Sequence, residues 1–193
     1  IPVDRNIEKL KIYENINQIN DVFFSMSHGV NRGKLKRDKQ DERHNFISEL
    51  ISECPNIIFD IYGYKDREPV WADDFYKVIV NSKMALNLTR GKPLKYLTSN
   101  RIASLIGNGL LTFIDKKTKL DNFFNSDEVV FYSGLQDLAN KINFYKSNDK
   151  SRVRIAKNGR RRYFDLFECQ KVSEYIVSKS FNRETSKKLK WMD

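Results

Sequence analysis

Two loop segments carry the residue types best suited to gripping an anion. The first, Ser27-His28-Gly29-Val30-Asn31-Arg32-Gly33-Lys34, follows directly on the apolar run Val22–Met26. Its two glycines let the main chain approach a ligand closely, and Arg32 and Lys34 carry charge that offsets a phosphate. The second, Thr89-Arg90-Gly91-Lys92, follows the apolar run Met84–Leu88 and leads to Ser99, Asn100 and Arg101 at a helix start. Ser99 or Asn100 is suited to cap that helix, whose amino end offers N–H groups and positive potential to an anion; Arg101 adds a charge. Asn87, at the end of its run, is placed to hydrogen-bond a ligand. Each segment alone reads equally well as a solvated turn. Two such loops on one sheet edge favour a phosphate-binding cleft. Neither is a P-loop, since GxxxxGK[ST] is absent, and neither is a GxGxxG dinucleotide fingerprint.

The other chemically suggestive features are weaker. Basic residues from Arg152 to Arg162 interleave with Val153, Ile155, Ala156 and Tyr163 at helical spacing. The solvated face of an amphipathic helix accounts for this more readily than contact with anionic lipid or nucleic acid. His28 and His44 lie beside no GxSxG-type nucleophile motif. Cys54 and Cys169 form no CxxC pair and have no histidine at metal spacing, so they read as reduced core residues in a reducing compartment, the cytoplasm. No metal is expected.

The elements that must position the two loops follow from hydrophobic pattern. Short, continuously apolar runs at Val22–Met26, Ile57–Tyr62, Met84–Leu88, Leu110–Phe113 and Val129–Tyr132 read as strands covered on both faces. Helical patterns alternate with them: Phe46 to Cys54, the stretch through Phe75, Val78 and Ile79, and Asn100 to Gly107. This βα alternation predicts a Rossmann-like, doubly wound parallel α/β sheet of about five strands with C-terminal helices. Ligands in such sheets bind beyond the carboxyl ends of the strands, at the topological switch point. Residues 1–20 read as an interdomain linker or N-terminal extension, 21–147 as the ligand-binding domain, and 148–193 as trailing helices.

The chain has 193 residues, 40% hydrophobic and 31% charged, enough to bury a core without disulfide or metal staples. A net charge of +10 favours anionic partners without choosing among nucleic acid, membrane and phosphate-bearing ligands. No apolar run is long enough for a membrane span. Beginning at Ile1 without a signal-peptide pattern, the chain reads as a piece of a longer protein, with an N-terminal partner domain expected upstream.

The segment Asn87-Leu88-Thr89-Arg90, continuing through Asn100-Arg101-Ile102-Ala103-Ser104 to Asn108-Gly109-Leu110-Leu111-Thr112, resembles the group-1 glycosyltransferases of GT-B fold, in the branch related to spore-maturation proteins. There a strand ending in "lNl" precedes "R-x-F-E-A-x-A-C-G" and a short apolar strand. Phe123 to Tyr132 is similar to that family's "F…(D/E)EVVxY" segment, and Arg154-Ile155-Ala156-Lys157-Asn158-Gly159 to its "R..IA..G" segment. The match extends over about residues 20 to 180.

The resemblance implies two Rossmann-like domains facing across a cleft, this C-terminal one holding a nucleotide-diphosphate sugar as donor substrate. It implies metal-independent transfer to a carbohydrate or lipid acceptor, with the general base in the N-terminal domain. By position, Gly29, Asn31 and Arg32 or Lys34 fall at the diphosphate loop, Tyr62 and Gly63 near the base, and Asn87, Arg90, Asn100 and Arg101 around diphosphate and sugar. Ser104 stands where the family has glutamate, and Asn108-Gly109 where it has Cys-Gly. A serine cannot reproduce a carboxylate's grip on two hydroxyls.

A cytoplasmic glycosyltransferase is therefore the leading reading, with peripheral contact with the inner face of an anionic membrane as an option. The competing ones are a regulatory or nucleic-acid-binding α/β module, for which no recognisable motif is present, and a degenerate transferase scaffold.

Overall fold

All five apolar runs become strands of one sheet in the computed structural model, which describes residues 1–26, 42–183 and 191. The strands are β1 (Asn20–Ser25), β2 (Phe59–Tyr62), β3 (Ser82–Asn87), β4 (Leu111–Asp115) and β5 (Val130–Tyr132). Every neighbouring pair is parallel, in the order β2-β1-β3-β4-β5. In register, Phe23 lies between Asp60 on β2 and Ala85 on β3, and Leu86 pairs with Phe113 on β4. The helices are α1 (Glu42–Glu53), α2 (Ala72–Ile79), α3 (Asn100–Gly107), α4 (Leu135–Ser147), α5 (Asp149–Phe167) and α6 (Cys169–Ser180).

The strands lack polar alternation because both sheet faces are covered. Val22, Phe24, Met84 and Leu86 pack against Ile47 and Leu50 of α1 and Leu138 and Ile142 of α4. On the other face Phe23 and Ala85 meet Ile79 of α2 and Leu105 of α3. Ile114 and Phe131 join Ile102, Ile106, Tyr163 and Phe164 in a third cluster beneath α3 and α5. Gly159 permits the close seat of α5: a Cβ there would collide with the carbonyl oxygen of Glu128.

The N-terminal segment, whose composition reads as a linker or extension, packs onto the body. Val3 and Ile12 are buried. Val3 donates its N–H to the Phe167 carbonyl at 2.9 Å and accepts the Cys169 N–H at 2.8 Å. Asn108 holds the next stretch: its side-chain oxygen accepts the Leu10 N–H at 3.1 Å and its carbonyl accepts the Ile12 N–H at 2.7 Å. Cys54 is buried, as its apolar setting implies, whereas Cys169 is only half-buried, its thiol 3.3 Å from an Asp4 carboxylate oxygen.

At the amino edge of the sheet, buried Asp21 ties four elements together. Its carboxylate accepts the Ile58 N–H at 2.9 Å, Lys146 of α4 at 2.7 Å and Lys83 of β3 at 3.4 Å. Burial pushes the Asp21 carboxyl up, but the Ile58 N–H and the two ammonium groups outweigh it and hold it below its usual range. No helix among the described residues is long and apolar enough to cross a membrane.

Candidate functional site

The strand order reverses direction at β1. The chain steps from β1 outward to β2, then returns to the other side of β1 for β3. Connections leaving β1 and β3 therefore diverge to opposite faces, and a crevice opens beyond their carboxyl ends. A cleft of about 580 Å³ lies there, with Ser25 and Met26 from the end of β1 at its floor.

One wall is polar and belongs to α3. Ser99, Asn100, Arg101 and Ser104 line it, the last three sharing a face of the helix. Ser99 occupies the N-cap position with extended backbone, yet its hydroxyl makes no capping hydrogen bond. The amino end of α3, with its positive potential and first-turn N–H groups, thus borders the cleft. The Arg101 guanidinium is fixed in place: Nη1 donates to the Leu88 carbonyl at 2.7 Å, and the group rests 4.9 Å from the centroid of the Phe24 ring.

The opposing wall is aromatic and belongs to the entry of α2. Trp71, Phe75 and Tyr76 line it. Phe75 is locked edge-on against Phe23 at 5.4 Å and against Tyr76 at 5.9 Å. Trp71 remains 58% exposed, an unusual state for the largest apolar side chain. The following residue, Ala72, is held at φ 48°, a left-handed conformation that costs a non-glycine residue about 1–2 kcal/mol. That turn is what aims the start of α2 at the cleft.

The loop-derived expectations divide accordingly. Asn100, Arg101 and Ser104 come together on the cleft wall. Gly63 lies beneath the floor: at φ 72° it lets the turn after β2 pass so close to Met26 that a Cβ would meet the Met26 carbonyl oxygen. Tyr62 does not line the cleft. Its ring is covered by the Arg67 guanidinium at 3.8 Å, and Arg67 is itself paired with buried Asp60 at 2.6 Å. Arg90 is exposed and outside the cleft. Asn87 is buried at the carboxyl end of β3, and its side-chain oxygen has no hydrogen-bond partner among the described residues. Gly29, Asn31, Arg32 and Lys34 lie outside the described residues.

Sequence reasoning missed Ser25, Trp71, Phe75 and Tyr76. The available signal for Trp71 was its position between Pro69 and a helix start, on a carboxyl-edge connection where ligands bind. The basic run in α5 has largely internal uses. Arg152 is buried against Asp149 and donates to the Lys83 carbonyl, Arg160 donates to the Glu8 carbonyl, and Arg162 to that of Phe123. Among the described residues no group of three or more His, Cys, Asp or Glu side chains is placed to hold a metal ion.

The sheet order and crevice are those of a doubly wound α/β domain, and a family profile decides the assignment: that described as glycosyl transferase-like matches residues 39–178. The chain belongs to the glycosyl transferase-like family. Solved structures with the same fold are GT-B glycosyltransferases. HepE from Anabaena, determined in complex with UDP, superposes with a TM-score of 0.66 at 12% identity, covering 94% of this chain and 56% of that one. TarM gives 0.59 at 13% identity over 88% and 36% of the two chains. Sucrose-phosphate synthase from Thermosynechococcus elongatus gives 0.56 at 14%, over 94% and 43%. The chain thus spans about half the length of HepE, and identities this low establish the fold alone. No curated protein matches the sequence.

Within this glycosyl transferase-like chain, Asn108 has a structural use. Asn108 is fully buried, donates to the Ser104 carbonyl at 2.8 Å and anchors the N-terminal segment. A thiol offers neither the amide donors nor the carbonyl acceptor this requires. Ser104 presents a short neutral hydroxyl to the cleft.

Proposed function

We propose that the cleft between α2 and α3 holds the nucleotide diphosphate of a sugar donor, and that the domain supports glycosyl transfer to a carbohydrate or lipid acceptor. The observation that carries this reading is Arg101, fixed beside the amino end of α3 on the rim of a cleft of about 580 Å³. That volume falls in the range of cofactor-sized pockets. A helix amino end with an arginine is suited to a diphosphate, whose charge grows as the glycosidic bond breaks. The UDP bound in HepE, and the UDP and glucose bound in a second HepE structure, support the choice of ligand class.

Roles follow from chemistry. Arg101 stabilises the leaving diphosphate, and the family resemblance assigns Gly29, Asn31, Arg32 and Lys34, in the sequence following β1, to the same group. Asn100, Ser99 and Ser104 hydrogen-bond donor hydroxyls, and the buried Asn87 oxygen accepts one. Trp71 and Tyr76 face the base. Arg90 contributes only charge at the margin. Because side chains and a helix end supply the positive charge, transfer proceeds without a divalent metal. The acceptor site and general base belong to the other domain of the GT-B arrangement, and residues 148–193 brace the donor domain. A cytoplasmic setting suits the free thiols.

Calorimetric titration with UDP-, GDP- and ADP-linked sugars, with and without EDTA, tests the reading. A ligand at a hundred times its Kd stabilises the fold by about 2.7 kcal/mol. At least one nucleotide sugar is expected to bind and to raise the Tm independently of EDTA. Failure of all three at millimolar concentration contradicts the proposal.

A further inference from the structure

A second cleft, of about 190 Å³, opens where the N-terminal segment crosses α5, and it shares no lining residue with the first. Arg5, Lys157, Arg160 and Arg161 line it, with Asp165 as the one acidic residue on its wall. Lys157, Arg160, Arg161 and Phe164 recur at the spacing that places side chains on a single helix face. A helix face turned toward another segment is ordinarily apolar; this one gathers cations.

Three observations show these charges incompletely satisfied by the protein itself. The guanidinium groups of Arg5 and Arg160 both rest on the Phe164 ring, 4.5 and 4.7 Å from its centroid, so two like charges share one aromatic side chain. Arg160 donates through Nη2 to the Glu8 carbonyl at 2.8 Å, but its buried Nε has no acceptor among the described residues. Lys157 and Arg161 form no ion pair among the described residues, even with Asp165 on the same wall. Arg5 alone has a carboxylate partner, Glu168 at 2.8 Å. Glu8 and Glu14 temper the field around Arg160 from a distance, without pairing with it.

A buried donor without an acceptor costs about 1–3 kcal/mol, and clustered like charges add to that cost. An oxyanion in the cleft relieves the repulsion among the clustered charges. The volume bounds its size: about 190 Å³ lies below the roughly 300 Å³ at which pockets for larger ligands begin. Several convergent guanidinium and ammonium groups match a phosphoryl group, which offers three oxygens to donors, better than a single carboxylate.

We infer that the Arg5–Lys157–Arg160–Arg161 cleft is an accessory site for one phosphoryl group, distinct from the donor cleft. The group is either free phosphate or the headgroup phosphate of an acidic phospholipid.

The experiment uses the whole chain and the double variant Lys157→Gln/Arg161→Gln, whose replaced side chains make no hydrogen bond or ion pair among the described residues. Inorganic phosphate is titrated at constant ionic strength, and sedimentation is measured with vesicles of phosphatidylcholine with and without phosphatidylglycerol. Saturable phosphate binding at one site, weakened at least tenfold in the variant with UDP affinity unchanged, supports the site. If capture by phosphatidylglycerol vesicles is also lost in the variant, or is the only binding lost, the source is a lipid headgroup. If vesicles are never captured, the source is free phosphate. Absence of both saturable phosphate binding and vesicle capture, or binding equal in the two proteins, overturns the inference. The donor reading is unaffected by that result, because UDP binding is measured separately.

Discussion

Arg101 reaches back from the first turn of α3 to donate to the carbonyl oxygen of Leu88, at 2.7 Å, tying the helix to the exit of β3. The bond spans 13 residues of sequence and fixes the guanidinium at the rim of the cleft. Position and charge are thereby set before a ligand arrives, and less ordering entropy is lost on binding.

Replacing Arg101 tests this directly. Hydrogen bonds to charged groups are worth about 1.5–3 kcal/mol, so Arg101→Ala is expected to weaken UDP binding roughly ten- to a hundredfold by calorimetry. Arg101→Lys keeps the charge and loses the planar fork, and should recover only part of the affinity. Both variants should retain a cooperative thermal transition.

Trp71→Ala probes the opposite wall. Base–aromatic stacking is worth about 1–3 kcal/mol per base. The variant should bind UDP about tenfold more weakly while inorganic pyrophosphate, which has no base, binds as before. Because Trp71 is largely exposed, urea unfolding should be little changed. Equal losses for UDP and pyrophosphate would show that Trp71 supports the cleft instead of the base.

Gly63→Ala meets two obstacles at once: a backbone φ of 72° and the Met26 carbonyl oxygen in the space a Cβ needs. The left-handed conformation alone costs about 1–2 kcal/mol, and the collision adds to it. Urea denaturation should show a loss of about 2 kcal/mol or more. UDP affinity should fall as well, because Met26 belongs to the cleft floor.

Much of this architecture is legible in the chain, for reasons that differ by element. Strands covered on both faces show as unbroken apolar runs, so β1 and β3, and with them the crevice, are readable. Helix α3 is readable at both ends, Asn100 and Gly107, because a polar start and a glycine stop bracket its apolar face. What escapes is non-local. Val3 and Ile12 sit in a polar stretch, and their burial depends on Phe167, Cys169 and Asn108, partners about a hundred or more residues away. Tyr62, which the resemblance sets near the base, is covered by Arg67, and Asp60 holds Arg67. No local pattern announces that pairing. Trp71 escapes because an exposed aromatic on a connection carries no periodicity.

Acid stability should depend on Asp21. Its folded-state pKa is lowered, so it contributes stability that is fully present above its unfolded value of about 4 and is lost as pH falls through the folded value. Asp21→Asn removes an anion from between two partly exposed lysines and should cost about 2 kcal/mol at neutral pH, less than a fully buried pair. The variant's stability should also be flatter than wild type below about pH 4. Urea midpoints at pH 7 and pH 3 check both statements.

The chain's two tryptophans provide the most direct test of where the nucleotide sits. Trp71 lines the cleft, whereas the Trp191 indole donates to the Leu166 carbonyl at 2.8 Å, elsewhere on the fold. Proton–nitrogen correlation spectra therefore contain two indole peaks, assignable through Trp71→Phe. On titration with UDP the Trp71 indole peak should shift saturably while that of Trp191 stays in place. Saturable UDP binding that leaves the Trp71 peak unmoved, or moves only that of Trp191, would contradict the placement of the nucleotide between α2 and α3.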